Sequence, residues 1–112
     1  MKKYFKLFFL IASISVLISC STFKHMEEGL SSLGGQHIDS LINKIGYPDG
    51  QNFIAGKKLY IWDSRSLLGY DGNVYDYNCS ITVEVDSSER IIGYQYSGNI
   101  GGCQGYSKAL KN

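Results

Sequence analysis

Cys79-Ser80-Ile81-Thr82-Val83-Glu84-Val85-Asp86 alternates strictly between apolar and polar residues. A period of two marks a strand with one face buried. Cys79, Ile81, Val83 and Val85 are expected to point into a core, and Ser80, Thr82, Glu84 and Asp86 toward water. Downstream, Ser87-Ser88-Glu89 reads as a turn and Ile91 to Ser97 as a returning strand, with Ile92, Tyr94 and Tyr96 on one face. Upstream, Lys58-Leu59-Tyr60-Ile61-Trp62-Asp63 is rich in the branched and aromatic residues that suit a strand. Ser64 to Asn73, broken by Gly69 and Asp71-Gly72, reads as the intervening loop.

Before residue 50 the period changes to that of a helix. Ile38, Leu41, Ile42 and Ile45 recur at i, i+3, i+4 and i+7, with Asp39, Asn43 and Lys44 outward. Gly46 is placed as a C-terminal stop and Pro48 follows two residues on. Phe23, Met26, Leu30 and Leu33 predict an earlier helix, ended by Gly34-Gly35. Helices followed by strands predict an α+β fold, with two N-terminal helices packed on a three-stranded antiparallel meander, ααβββ. Gly98 to Gly102 is too glycine-rich to read as a strand, and the polar tail from Gln104 is expected to be loose.

The N-terminus carries an address. Met1 to Lys6 is basic, Leu7 to Ile18 is apolar, and Ser19-Cys20 offers a cut site, which is the order of a secretory signal peptide. Twelve apolar residues rise only about 18 Å as a helix, short of a hydrocarbon core of roughly 30 Å. Leu17-Ile18-Ser19-Cys20 resembles the lipobox of bacterial lipoproteins, which implies cleavage before Cys20 and acylation of its sulfur. Ser21 then implies the outer membrane, facing the periplasm, if the host is Gram-negative. Residues 1–19 are thus expected to be a signal peptide, 20–26 a lipidated tether, and 27–112 a single ααβββ domain. Loss of Lys2, Lys3 and Lys6 leaves eight basic and ten acidic residues, a net charge of −2 without a basic run. That composition gives no support to nucleic-acid binding.

With Cys20 assigned to lipid, Cys79 and Cys103 remain as an even pair in an oxidising compartment and are expected to form a disulfide. Its loop would contribute roughly 3–4 kcal/mol in the chain-entropy model. No metal is expected, because His25 and His37 lie far from the cysteines without ligand spacing.

The stretch Leu33-Gly34-Gly35-Gln36-His37-Ile38-Asp39-Ser40-Leu41-Ile42-Asn43-Lys44-Ile45-Gly46-Tyr47-Pro48-Asp49 is similar to the helix and Gly-x-Pro signature of the SmpA/OmlA (BamE) lipoproteins. Lys58 to Trp62 resembles that group's first strand, and Ile81 to Asp86 with Arg90-Ile91-Ile92 its last hairpin. The resemblance spans most of residues 30–98. It implies a β-lactamase-inhibitor-protein-like ααβββ fold and a non-enzymatic scaffold role at the outer membrane. Ser87-Ser88-Glu89 departs from the pattern by lacking the usual turn glycine, and the stretch from Ser64 to Asn78 is long and rich in tyrosine.

The chain has nine tyrosines and one tryptophan. If Leu59 and Ile61 face the helices, Tyr60 and Trp62 lie outside, and with Tyr70, Tyr75 and Tyr77 they form a candidate protein-binding surface, since aromatics are enriched at interface hot spots. Cross-strand packing, or burial of that face in the core, would use the same rings. Asp71, Asp76, Asp86 and Glu89 lack the ligand alternation of a calcium loop. No nucleophile, base and orienter can be assembled, and no cofactor is implied. The expected role is that of a lipid-anchored envelope scaffold that holds another envelope protein. The alternative is an inhibitor or exclusion lipoprotein that blocks an enzyme or receptor.

Overall fold

A computed structural model describes residues 21–111. The signal peptide expected over 1–19 and the acylated Cys20 lie outside the described residues. Chain order is α1 (21–32), α2 (Asp39–Ile45), β1 (Gly50–Ile54), β2 (Lys57–Tyr70), β3 (Asn73–Val85), β4 (Ile91–Gly98) and α3 (Ile100–Leu110). The strands form one sheet in the order β1-β2-β3-β4, every neighbouring pair antiparallel. Among the described residues the fold is α+β with three helices and four strands, so the ααβββ expectation is short by one strand and one helix.

Both additions have a physical reason. β1 is exposed along its whole length, so it carries no alternation of apolar and polar residues to read. It is fixed instead by its turn: Ala55 and Gly56 have φ of +52° and +79°, the twist-matched two-residue hairpin geometry. α3 carries Cys103, Ser107 and Leu110 on its buried face. A serine in the middle of that face, and three glycines in eleven residues, conceal the helical period. Asn99 caps the helix, its Oδ1 accepting the Gly102 amide at 2.8 Å. The Ser107 hydroxyl is satisfied by donating to the Thr22 carbonyl at 2.8 Å.

Gly102 decides how α3 meets the sheet. A Cβ there would collide with the Asn78 backbone, so the glycine lets helix and strand approach backbone to backbone. The run from Gly98 to Gly102 is thus the strand end, cap and first turn of a close-packed helix.

The expected tether is also corrected. Helix is already present at residue 21, Phe23 stacks on Tyr96 with ring centroids 6.2 Å apart, and Met26 is buried. Residues 21–26 belong to the domain.

One core joins Met26, Leu30 and Leu33 of α1 and the turn that follows it, Ile38 and Leu41 of α2, Cys103 and Leu110 of α3, and Trp62, Cys79, Ile81, Val83, Val85 and Ile91 of the sheet. The strand residues in it all lie on one side of the sheet. The alternation expected in β3 holds throughout its inner half, where Cys79, Ile81, Val83 and Val85 are buried. Register then settles β2. Trp62 lies opposite Ile81 and Tyr60 opposite Val83, so these rings share the core side. Trp62 is 1% exposed and its Nε1 donates to the Gly46 carbonyl at 2.9 Å. The outward placement of Tyr60 and Trp62 is overturned, and Leu59 and Ile61 take the other face. A register shift at Glu84/Val85 separates Ile91, which is buried, from Ile92, which is exposed. Ile92 therefore does not share a face with Tyr94 and Tyr96.

Candidate functional site

The residues expected to form an aromatic binding surface separate into three environments. Tyr60 and Trp62 belong to the core margin and the core. Tyr77 is half-buried, and its ring covers Gly101 in the first turn of α3. Tyr70 and Tyr75 remain on the surface, 71% and 45% exposed, on a paired arm where the sequence predicts a loop.

That arm is the outer half of the β2–β3 hairpin. Pairing continues beyond Ser64↔Cys79 through Arg65↔Asn78, Ser66↔Tyr77, Leu67↔Asp76, Leu68↔Tyr75 and Gly69↔Val74 to Tyr70↔Asn73. Six further pairs carry the ribbon about 20 Å past the core. Asp71 and Gly72 close it with φ of +50° and +77°, the turn geometry that Asp-Gly favours. The two faces of the arm differ in charge. The face continuous with the core side carries Ser66, Leu68, Tyr70, Asn73, Tyr75 and Tyr77, none of them charged. The opposite face carries Arg65 and Asp76, which pair at 3.1 Å, beside Leu67 and Val74.

The second surface is the open face of the sheet. The three helices among the described residues pack on the other side, and none of the described elements forms a layer over Ile54, Leu59, Ile61, Thr82, Glu84 and Gln95. A shallow groove of about 450 Å³ runs along it, lined by Ile54, Leu59, Thr82, Glu84, Gly93 and Gln95 among others. Lys57 and Glu84 border it and pair at 3.7 Å.

The third feature is a polar clamp at the far end of the sheet. Glu89 sits at φ +61°, the left-handed turn position where a glycine is usual. Its carboxylate accepts from Lys58 Nζ and from the Tyr60 hydroxyl at 2.6 Å. The Lys58 hydrogen bond, followed by that of Tyr60, holds the Glu89 carboxyl below the ordinary value, and the same contact with Glu89 holds Lys58 above its own. The absent turn glycine was visible in the sequence, but its partners 29 and 31 residues away were not. Across the molecule, Glu27 of α1 accepts from the hydroxyls of Tyr94 and Tyr96. Hydrogen bonding to Glu27 raises Tyr94 above its ordinary value; burial, then Glu27, raises Tyr96.

Cys79 and Cys103 are joined by a disulfide with Cα atoms 4.9 Å apart, tying α3 to β3 at the root of the arm. Among the described residues, no group of three or more His, Cys, Asp or Glu side chains is placed to hold a metal ion. His37 serves locally, its Nδ1 accepting the Asp39 amide at 3.1 Å at the start of α2. Asp86 Oδ1 accepts the Ser88 and Arg90 amides at 2.9 Å and shapes the β3–β4 turn. These acids are turn formers and ion-pair partners. What the geometry offers beyond them is surface for binding. No protein-family model matches the chain, and no curated protein or solved structure matches it either.

Proposed function

We propose that this chain is a lipid-anchored cell-envelope protein with a structural, protein-interaction role and no catalytic one, similar in kind to SmpA/OmlA-type lipoproteins. The observation that carries the interaction reading is the bare sheet face. Among the described residues, a four-stranded sheet with three helices on one side and none on the other leaves Leu59, Ile61 and the groove beside Thr82 and Glu84 available to a partner. A flat surface of mixed apolar and polar residues, bordered by an ion pair, suits a protein better than a small substrate. In place of the rings expected from Tyr60 and Trp62, the open face offers the aliphatic side chains of Ile54, Leu59 and Ile61.

The anchor reading rests on Leu17-Ile18-Ser19-Cys20 behind a basic, apolar leader. The first described residues fit it, since residue 21 is already helical and Phe23 packs on Tyr96. An acylated Cys20 would hold the domain directly at the bilayer, at an outer membrane if the host is Gram-negative. The order of two helices followed by antiparallel strands is the one the family resemblance implies, with β1 and α3 as additions.

Two measurements test this. Mass spectrometry of the N-terminal peptide should show Cys20 as the first residue carrying lipid; an intact leader or an unmodified soluble N-terminus overturns the anchor. A photo-crosslinking residue in place of Gln95, on the open face, should capture resident envelope proteins in living cells. Capture only of an added foreign enzyme would assign the face to inhibition, and no adduct at all would remove the partner.

A further inference from the structure

The arm and the first described residues, 21–23, lie at the same end of the molecule. α1 runs antiparallel to β4. Its first turn stacks Phe23 on Tyr96, and beyond its other end the Gly35 amide bonds the Ile91 carbonyl at 2.8 Å. β4 ends at Gly98, which pairs with Cys79, the residue at which the arm leaves the core. The chain therefore enters the domain beside the root of the arm. It also enters on the helix side of the sheet, because α1 packs there.

Residue 21 sits on the helix side of the sheet, so a surface that meets it and also the arm approaches the arm from that side. That is the face without charge. It presents Leu68, Tyr70 and Tyr75 toward such a surface, while Arg65 and Asp76 point away from it. Leu68 and Tyr70 are 54% and 71% exposed, and although Leu67 and Val74 are as exposed on the opposite face, they share it with the Arg65–Asp76 ion pair, so the uncharged face is the one suited to an apolar contact. Tyrosine suits the headgroup level of a bilayer, where ring and hydroxyl each find their solvent. Asp71 at the tip resists deep burial and limits the arm to the interface.

We propose that the β2–β3 arm lies on the lipid surface through its Leu68, Tyr70 and Tyr75 face, as a second contact that fixes the orientation of the domain on its anchor. The proposal rests on the membrane attachment argued above. Acylation supplies the affinity, and the arm supplies direction. Its consequence is that the open sheet face looks away from the bilayer, toward whatever approaches from the aqueous side.

The test uses the full chain purified from membranes and reconstituted in vesicles of phosphatidylethanolamine and phosphatidylglycerol. An environment-sensitive fluorophore is placed at Leu68→Cys, with Gln95→Cys on the open face as the control. Both positions are exposed, so neither change touches the core. The Leu68 label should shift to the blue on reconstitution and lose emission to nitroxide-bearing lipids, while the Gln95 label loses emission only to aqueous iodide. A Leu68 label that iodide quenches as well as the control overturns the arm contact. One shielded from both quenchers overturns it in favour of a protein, such as a second copy of this chain. Vesicles that float without the protein refute the anchor and the arm together. Vesicles that carry it with an iodide-quenched arm refute only the arm.

Discussion

The inner and outer halves of the β2–β3 hairpin are built from the same two strands in one continuous register, and they meet opposite fates. In the inner half, Trp62, Ile81 and Val83 are buried under helices. In the outer half, Leu68, Tyr70 and Tyr75 project from the same side of the ribbon with no helix over them. Apolar character does not distinguish the halves. What distinguishes them is whether another element reaches that part of the face. The Cys79–Cys103 disulfide stands at the boundary, pinning the start of α3 to the last covered pair.

The comparison breaks most visibly at its buried end. Trp62→Ala should cost about 3–5 kcal/mol, the usual range for removing a large buried aromatic. The ring volume is lost from the core, and the Gly46 carbonyl loses its donor. Denaturant midpoints read this directly. A loss under 1 kcal/mol would mean that the core closes without the ring and that the helix-covered half is not the stable one. Next in size is the boundary itself. Replacing Cys79 and Cys103 together by serine opens a cross-link spanning 24 positions and should cost about 3.5 kcal/mol in the chain-entropy model. If α3 is held mainly by this bond, its amides should gain hydrogen exchange more than those of α1. Equal gains would show that α3 is held by packing alone.

The inner half was largely legible in the sequence and the outer half was not. Cys79 to Val85 alternates because each inward position meets the core. In Asn73-Val74-Tyr75-Asp76 both faces meet solvent, so nothing selects apolar residues for one side with the same regularity. The Asp71-Gly72 pair was noticed as a break, yet it is equally the turn of a long hairpin, and only the pairing on either side tells the two apart. β1 was missed for the same reason, since a wholly exposed edge carries no period. The sequence leaves the face of β2 open, because alternation fixes which residues go together but not which set goes inward. Register against β3 supplies that missing fact: with Ile81 inside, its partner Trp62 must be inside too. α3 was concealed by Ser107, whose buried hydroxyl is satisfied by the Thr22 carbonyl, a contact made across 85 positions.

The clamp at the opposite end of the sheet should give a smaller, pH-dependent effect. The folded protein holds the Glu89 carboxyl below its ordinary value through Lys58 and Tyr60. A carboxylate with a depressed folded value binds its proton more readily when unfolded, so it adds stability above the ordinary value. That contribution is lost as pH falls through the depressed one. Glu89→Gln should therefore be less stable than the parent at neutral pH, and the gap should close as the solution is acidified through and below the normal glutamate range. Urea midpoints at several pH values test the sign. A gap that stays constant with pH would show that Glu89 is held there for its turn geometry and not for its charge.

The smallest effect on folding should come from the outer half, and its smallness is informative. Leu68→Ser together with Tyr70→Ser removes two large side chains that bury little against the rest of the domain. Surface changes of this kind usually stay within about 0.5 kcal/mol. The paired strand hydrogen bonds and the Asp71-Gly72 turn remain, so the arm should persist as a hairpin. The same double variant on its anchor should let the domain tumble more freely over vesicles, read as faster decay of fluorescence anisotropy from a Gln95 label. A protein whose stability is untouched while its orientation loosens has spent those side chains on an external contact. If the double variant instead loses several kcal/mol, the arm folds back on the domain in solution, and the bare ribbon seen here is not the resting form of the hairpin.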